Sequence, residues 1–472
     1  MSSTTITTTS AAAAATNQPF KTLVSPISPV VAKMKEQFLS LDIPLQVSKK
    51  MPYFDAKPVA PSSPPEITCW LLDTRTLWKG DNIFSAEGAA QALSLISLSE
   101  QNTCTTKMFV ADARMSLGSA LLKRLFISKT LGIPWKDVKI ARKGNEKHGK
   151  PCAVDDIGRP IGGIDFNVSH QNGLVTLIGW DGRQQQRYSS TGSIQGLLSP
   201  GMKRDDVMVG VDIVCVNERD SAHTTIDMEG FDGWVDIYDS VFSEEERWSM
   251  KYDVDAVTLL DGSQLRGHDL GRHDRCISRH KDLNITTQTG KDFTFSSELL
   301  IDAKLRRFYT YFCYKEAYIK LAGEALLAPW LRQLEFFNVR SPRPGTQARC
   351  STHGTWGEEV DNVEVKLHGR HVDDVKMKIQ AFEEDFMLSA AIQGAIQGLK
   401  IPAFHTLDLD SEVMAFAFDH LDEKPLKEEP PQAPSRTDSV MNMGNMDAQI
   451  ERLPEVNRCP EALLSPWESR YW

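Results

Sequence analysis

The chain has 472 residues, 41% hydrophobic and 25% charged, with 10 Trp and 20 Phe. This is globular composition, enough for two to three domains at roughly 150 residues each, and it excludes a wholly disordered, collagenous or coiled-coil chain. The net charge of −10 is uneven: residues 403–472 hold 14 acidic against 6 basic side chains, whereas residues 101–160 hold 12 basic against 5 acidic.

The domain-wide basicity of a nucleic-acid binder is missing. The basic stretch reads either as solvated helix faces or as a surface for phosphate or an acidic partner. No apolar run approaches the ~18 residues of a membrane span. The eight cysteines lack a C-x-x-C pair and read as buried thiols of a reducing, cytoplasmic compartment.

In chain order, residues 1–18 form a Ser/Thr/Ala leader without a targeting signal, and 19–66 an extended, loop-rich segment with a Pro/Ser-rich end at 55–66. Order is expected from Ile67. Leu117, Leu121, Leu125 and Ile127 predict a helix over Met115–Leu131, stopped by Gly132-Ile133-Pro134. Asp165–Ser169 and Leu174–Trp180, around a Gln171-Asn172-Gly173 turn, and Val207–Val216 predict neighbouring strands.

Ser243 and Glu246 form a capping box for the next helix. Residues 253–300 are polar and Gly-punctuated, which predicts an inserted loop. Ala303–Leu321 is a long aromatic-rich helix, Asp385–Gln393 a late strand, and 399–472 an acidic, largely disordered tail. This order, without a βαβ glycine signature, predicts an α+β fold. Its N-terminal lobe would span 67–204 and its C-terminal lobe 205–398, with a site between them.

Asp212 is the only charge in Val207–Val216. A buried carboxylate requires a cation, a set of hydrogen bonds or a proton, and an edge Asp bonded to backbone amides satisfies this as well as a functional one. On the long helix, Phe308, Phe312, Glu316 and Lys320 make one i, i+4 row. Glu316 and Lys320 read as an ordinary helix pair, or, with Asp212, as part of an oxygen set of the kind Mg²⁺ takes beside substrate phosphates.

The loop Lys147–Pro151 and the segment Phe166–His170 carry donors suited to phosphate. Ser169 and His170 point to opposite faces of a strand and so are a poor nucleophile–base pair. His268, His273, Cys276 and His280 match no closed zinc pattern.

Taken in order, Gly149-Lys150-Pro151, Phe166-Asn167-Val168-Ser169-His170, Gly210-Val211-Asp212-Ile213, Phe242-Ser243-x-x-Glu246 and Tyr314-Lys315-Glu316-Ala317-x-x-Lys320-x-x-Gly323 resemble the signature set of the Sfp-type 4′-phosphopantetheinyl transferases. The leader, insertion and acidic tail are similar to fungal members. The resemblance implies two pseudo-symmetric lobes, each a small, mainly antiparallel sheet with helices, in a monomer that binds coenzyme A and Mg²⁺ between them.

The implied reaction moves the phosphopantetheine arm of coenzyme A to a serine of apo carrier domains and releases adenosine 3′,5′-bisphosphate. The implied carriers belong to polyketide synthases, nonribosomal peptide synthetases and aminoadipate reductase, so secondary metabolism and lysine biosynthesis are the implied settings. By the same resemblance, Asp212 and Glu316 hold the metal and Glu316 is the base. Lys320 faces the diphosphate, Lys150, Pro151, Ser169 and His170 line the coenzyme A site, and Arg114 and Lys107 lie near it. Bacterial members commonly carry a second acid at the position of Val214, a gap that water or Gln171 would fill. A non-catalytic coenzyme A-binding regulator and a Mg²⁺-dependent diphosphate hydrolase are the alternatives.

Overall fold

The computed structural model describes residues 67–143, 149–182, 207–216, 220–324, 328–345, 354–394 and 399–421. The leader, the 19–66 segment and residues 422–472 lie outside these.

Two four-stranded sheets carry the architecture. The first contains β1 (Ile67–Asp73), β4 (Ile164–Gln171) and β5 (Leu174–Asp181). Its order is β17 (His405–Thr406)-β1-β5-β4, with β5 antiparallel to both neighbours. Asn172, at φ 46°, and Gly173, at φ 81°, make the tight β4–β5 turn in the left-handed region that hairpin turns need.

After two short helices, α1 (Ala89–Ser94) and α2 (Leu98–Thr105), the chain enters α3 (Val110–Leu131), which packs on β4 and β5. It starts five residues before the sequence periodicity, and Gly132 at φ 66° ends it as expected. Phe126 lies directly over Gly179, where an added Cβ would meet the ring at 2.1 Å.

The second sheet has the order β12-β15-β16-β6 and is antiparallel throughout. Its strands are β6 (Met208–Cys215), β12 (Trp356–Val360), β15 (Val375–Phe382) and β16 (Phe386–Gln393). Across it lies α6 (Ser297–Ala322), packed on β6 and β16 and ended by Gly323 at φ 73°. The odd residues of β6 (Val209, Val211, Ile213, Cys215) share an apolar cluster with β1 and β5 residues such as Cys69, Leu71, Leu174 and Ile178.

Between β6 and α6 in sequence come α4 (Asp220–Asp236) and α5 (Glu244–Tyr252). The capping box is formed: Glu246 N donates to Ser243 Oγ at 3.2 Å and Ser243 N to Glu246 Oε2 at 3.0 Å.

Two expectations are corrected. Residues 253–300 are not a loop: they fold into the hairpins β7 (Ala256–Thr258)–β8 (Gln264–Arg266) and β9 (Asp282–Thr286)–β10 (Asp292–Ser296) and the first turn of α6. Val257, Leu265, Leu270, Leu283 and Ile285 give them a core of their own. The alternation Leu283/Ile285 is too short to lift a polar segment's average, which hid it.

Residues 399–421 are likewise not tail. β17 (His405–Thr406) pairs parallel with β1, and Leu407, Leu409, Val413, Met414 and Ala417 enter the core under α3. Averaging over a mostly acidic stretch concealed these apolar positions.

Candidate active site

The first sheet ends at β4 and the second at β6, and these two edges face one another. An edge strand leaves its backbone groups without ladder partners. Here β4 answers with side chains: Asp165, Asn167, Ser169 and Gln171, alternate residues of one strand face, are all less than 9% exposed. Asp165 Oδ2 accepts from Val209 N at 2.9 Å, Asn167 Oδ1 from Val211 N at 3.0 Å, and Ser169 Oγ donates to Asp212 Oδ1 at 2.9 Å. This polar row joins the sheets and brings Asp212 beside Ser169.

The other partner of Asp212 comes from α6. Gly210 lets the helix approach β6 backbone to backbone: a Cβ there would lie 2.2 Å from Ala317 O and 2.5 Å from Leu321 N. Each of those residues follows a functional candidate, Glu316 and Lys320. Lys320 Nζ donates to Asp212 Oδ1 at 2.6 Å and to Ser169 Oγ at 2.7 Å.

Asp212 is 4% and Glu316 2% exposed. Burial pushes the Asp212 carboxyl above the usual carboxylate range, against the pull of Lys320 and the Ser169 hydroxyl. Its Oδ2 is buried and accepts no hydrogen bond. A buried carboxylate oxygen with a second acid on the facing helix suits a hard divalent cation.

Among the described residues no three His, Cys, Asp or Glu side chains converge. A cation here would therefore draw its remaining ligands from groups other than acids, imidazoles and thiols: phosphate, water or a side-chain amide. The same finding leaves His268, His273, Cys276 and His280 without a zinc arrangement. Val214 is fully buried.

His170 points away from Ser169, as strand alternation requires. Burial and the charges of Lys320, Lys107 and Lys123 push its pKa down to about 4. Lys320 of α6, Lys123 of α3 and Lys107 after α2 thus put positive potential at His170, an electrostatic setting for a polyanion.

On the opposite side of α6, Lys315 is fully buried. It lies 2.9 Å from Glu246 Oε2 and donates to Leu331 O at 3.0 Å and to Leu334 O. Glu246 Oε1 accepts from Phe336 N at 3.1 Å. Burial raises the Glu246 pKa and lowers that of Lys315, and each partner opposes the other's shift. This pair fixes α6 to α5 and to β11 (Leu334–Phe337).

Comparison with known proteins identifies the family. Residues 85–181 match the family described as "4′-phosphopantetheinyl transferase, N-terminal". A 4′-phosphopantetheinyl transferase of Aureobasidium melanogenum is 61% identical over 74% of this chain and 97% of its own length. The chain belongs to the 4′-phosphopantetheinyl transferases.

The 4′-phosphopantetheinyl transferase A of Aspergillus fumigatus is 33% identical over 70% of this chain and 84% of its own length. A shorter match, 30% over 15% of this chain and 22% of the relative, is to the human L-aminoadipate-semialdehyde dehydrogenase-phosphopantetheinyl transferase. The chain is thus a transferase that places phosphopantetheine, taken from coenzyme A, on carrier proteins. The regulator and hydrolase alternatives fall away.

Of the phosphopantetheinyl transferase residues expected from sequence, the structure brings together Asp212, Ser169 and Lys320, and sets His170 and Lys107 near one another. Gln171 continues the polar row, and Pro151 opens β3 (Pro151–Ala153), half-buried. Lys150, its side chain 7% exposed, pairs with Asp165 and donates to Val209 O at 2.6 Å, which cross-links the two sheet edges. Arg114 donates to Trp78 O at 3.1 Å and Gly80 O at 3.3 Å, so it anchors the turn after β1.

The sequence reading missed Asp165 and Asn167, Lys123 and the Lys315–Glu246 pair. The period-two polar row from Asp165 to Gln171 was the signal for the first two. Nothing in the sequence marks Lys123 from other helix lysines, and the Lys315–Glu246 pairing joins motifs 69 residues apart.

Proposed function

We propose that this transferase binds coenzyme A and Mg²⁺ at the junction of β4, β6 and α6, with Asp212 and Glu316 as metal ligands, and that it serves carrier domains of polyketide, nonribosomal peptide and aminoadipate-reducing synthases. The observation that carries the reading is the buried triangle of Asp212, Ser169 and Lys320, with one Asp212 oxygen left without a donor. When bound, the metal supplies Lewis-acid neutralisation of charge on the diphosphate.

The chain's own groups do the rest. Lys320 and His170 hold phosphate oxygens, and Lys107 and Lys123 add positive field where phosphate groups lie. Glu316 takes the proton of the carrier serine directly or through water, since a serine hydroxyl is a weak nucleophile at neutral pH. The serine oxygen–phosphorus bond forms as the bond to adenosine 3′,5′-bisphosphate breaks. Ser169 keeps the Asp212 carboxylate oriented, and Gln171, next along the row, completes the ligand set through its own amide or a held water.

Each sheet lies under one long helix, α3 or α6, which supports reading the halves as pseudo-symmetric lobes. Five of the described cysteines are buried free thiols, which fits a reducing cytoplasmic setting. The test is mass spectrometry of an apo carrier domain after incubation with the full chain, coenzyme A and Mg²⁺. The carrier should gain the mass of one phosphopantetheine, and Asp212→Asn and Glu316→Gln should each slow this by about 10²–10³-fold or more. Near-normal rates in both variants would place the metal elsewhere.

A further inference from the structure

We propose that Lys320 is a stand-in cation for Asp212, held there until the diphosphate of the donor draws it away, so that this one side chain couples coenzyme A binding to metal binding. The proposal rests on the metal reading of Asp212 and Glu316 given above.

The geometry shows a competition. Asp212 Oδ1 receives two donors, the Lys320 ammonium at 2.6 Å and the Ser169 hydroxyl at 2.9 Å, while Lys320 also holds Ser169 at 2.7 Å. The three close into a triangle whose Asp212 side chain is 6% exposed. A buried carboxylate needs a cation, and the ammonium is the one supplied by the fold. A divalent ion at the same carboxylate would meet that ammonium within a few ångströms, where two positive charges in a poorly solvated place repel strongly.

The side chain has a way out. Lys320 stands in the last turn of α6, three residues before Gly323, and its side chain is 12% exposed. Four flexible carbons allow the ammonium to leave Asp212 without movement of the helix. A diphosphate offers it a stronger, dianionic acceptor. Once Lys320 has turned to that acceptor, Asp212 has lost its cation and takes up the metal. The metal alone must instead displace a formed, charge-assisted ion pair, so it binds weakly without the donor. By linkage, the metal favours coenzyme A by the same factor.

The test is titration of the full chain with Mn²⁺ alone, read by electron paramagnetic resonance of free Mn²⁺, with and without coenzyme A. Without coenzyme A, Lys320→Met should bind Mn²⁺ about tenfold or more tightly than the unaltered chain, the scale of one charged hydrogen bond removed from the competition. With coenzyme A the two should converge. Lys320→Arg, which keeps the charge, should retain weak binding of Mn²⁺ alone.

Equal or weaker binding by Lys320→Met without coenzyme A would overturn the proposal. Should that variant fail to fold, Ser169→Ala removes one anchor of Lys320 and should tighten Mn²⁺ binding in the same direction by a smaller factor; no change would overturn the proposal. Absence of Mn²⁺ binding in every form, even with coenzyme A, would overturn the metal reading itself and this proposal with it.

Discussion

Replacing Gly210 with alanine tests whether the active site is assembled by the close approach of α6 to β6. The added Cβ would fall 2.2 Å from Ala317 O, 2.5 Å from Leu321 N and 2.7 Å from Leu321 Cβ, where ordinary contact begins at 3.4 Å. Two of these three atoms are backbone, so no side chain can rotate aside, and the helix must retreat by about 1 Å. Overpacking of this kind costs about 1–3 kcal/mol, and each kcal/mol lowers Tm by roughly 2 °C or slightly less in a chain of this size.

The site should suffer more than the fold. Glu316 and Lys320 sit beside the displaced residues, and a misplacement of ~1 Å can cost about 10²-fold in rate. Melting curves and carrier-modification rates for Gly210→Ala should therefore show a Tm loss of a few degrees with a kcat loss of about 10²-fold. Gly179→Ala is the control: its Cβ would strike the Phe126 ring at 2.1 Å, beneath α3 rather than α6. It should lower Tm with a much smaller loss of kcat. A Gly210→Ala enzyme with lowered Tm and normal kcat would refute the idea that this contact sets the site.

Three further outcomes follow from the same structure. His170, held down to about 4 by burial and by Lys320, Lys107 and Lys123, should take up a proton when the polyanionic donor offsets those charges; calorimetry at pH 6 in buffers of different ionisation heat should show uptake on coenzyme A binding, lost in His170→Gln. Because the folded value lies below the ordinary 6.5, stability without ligand should fall as pH drops from 6.5 toward 4, and less steeply in His170→Gln. Glu246→Gln or Lys315→Met should each cost about 3–5 kcal/mol by stranding a buried partner, whereas Glu246→Leu with Lys315→Met should lose less than the sum, as urea melts would show. Val214→Glu puts a carboxylate at a fully buried strand position and should lower stability by several kcal/mol; unchanged Tm with a lower Mg²⁺ requirement would show instead that the metal is within its reach.

The α+β class, the strands around Asp212, the start of α5 and the C-terminal end of α6 were legible because their signals are local: apolar runs, a capping box, glycine stops. Asp212 and Lys320 were legible as anomalies, charges placed in apolar rows. What escaped was set by partners distant in sequence. Lys150 stands in a basic loop, and its pairing with Asp165 and Val209 O crosses a junction that no local pattern announces. Arg114 lies on a helix near basic neighbours, and its hydrogen bonds to the carbonyls of Trp78 and Gly80 after β1 are likewise not announced by any local pattern. Residues 399–421 return to the first sheet because β1 has a free edge there, a fact of topology rather than of composition.

The position of the bound metal decides the roles of Asp212, Glu316 and Lys320. Crystals of the full chain grown with coenzyme A and Mn²⁺, measured at the manganese absorption edge, would locate it by anomalous scattering. The account predicts one peak within ligand distance of an Asp212 oxygen and a Glu316 oxygen, with the Lys320 ammonium moved from Asp212 to the diphosphate. A peak remote from both carboxylates, with the Asp212–Ser169–Lys320 triangle intact beside bound coenzyme A, would contradict it.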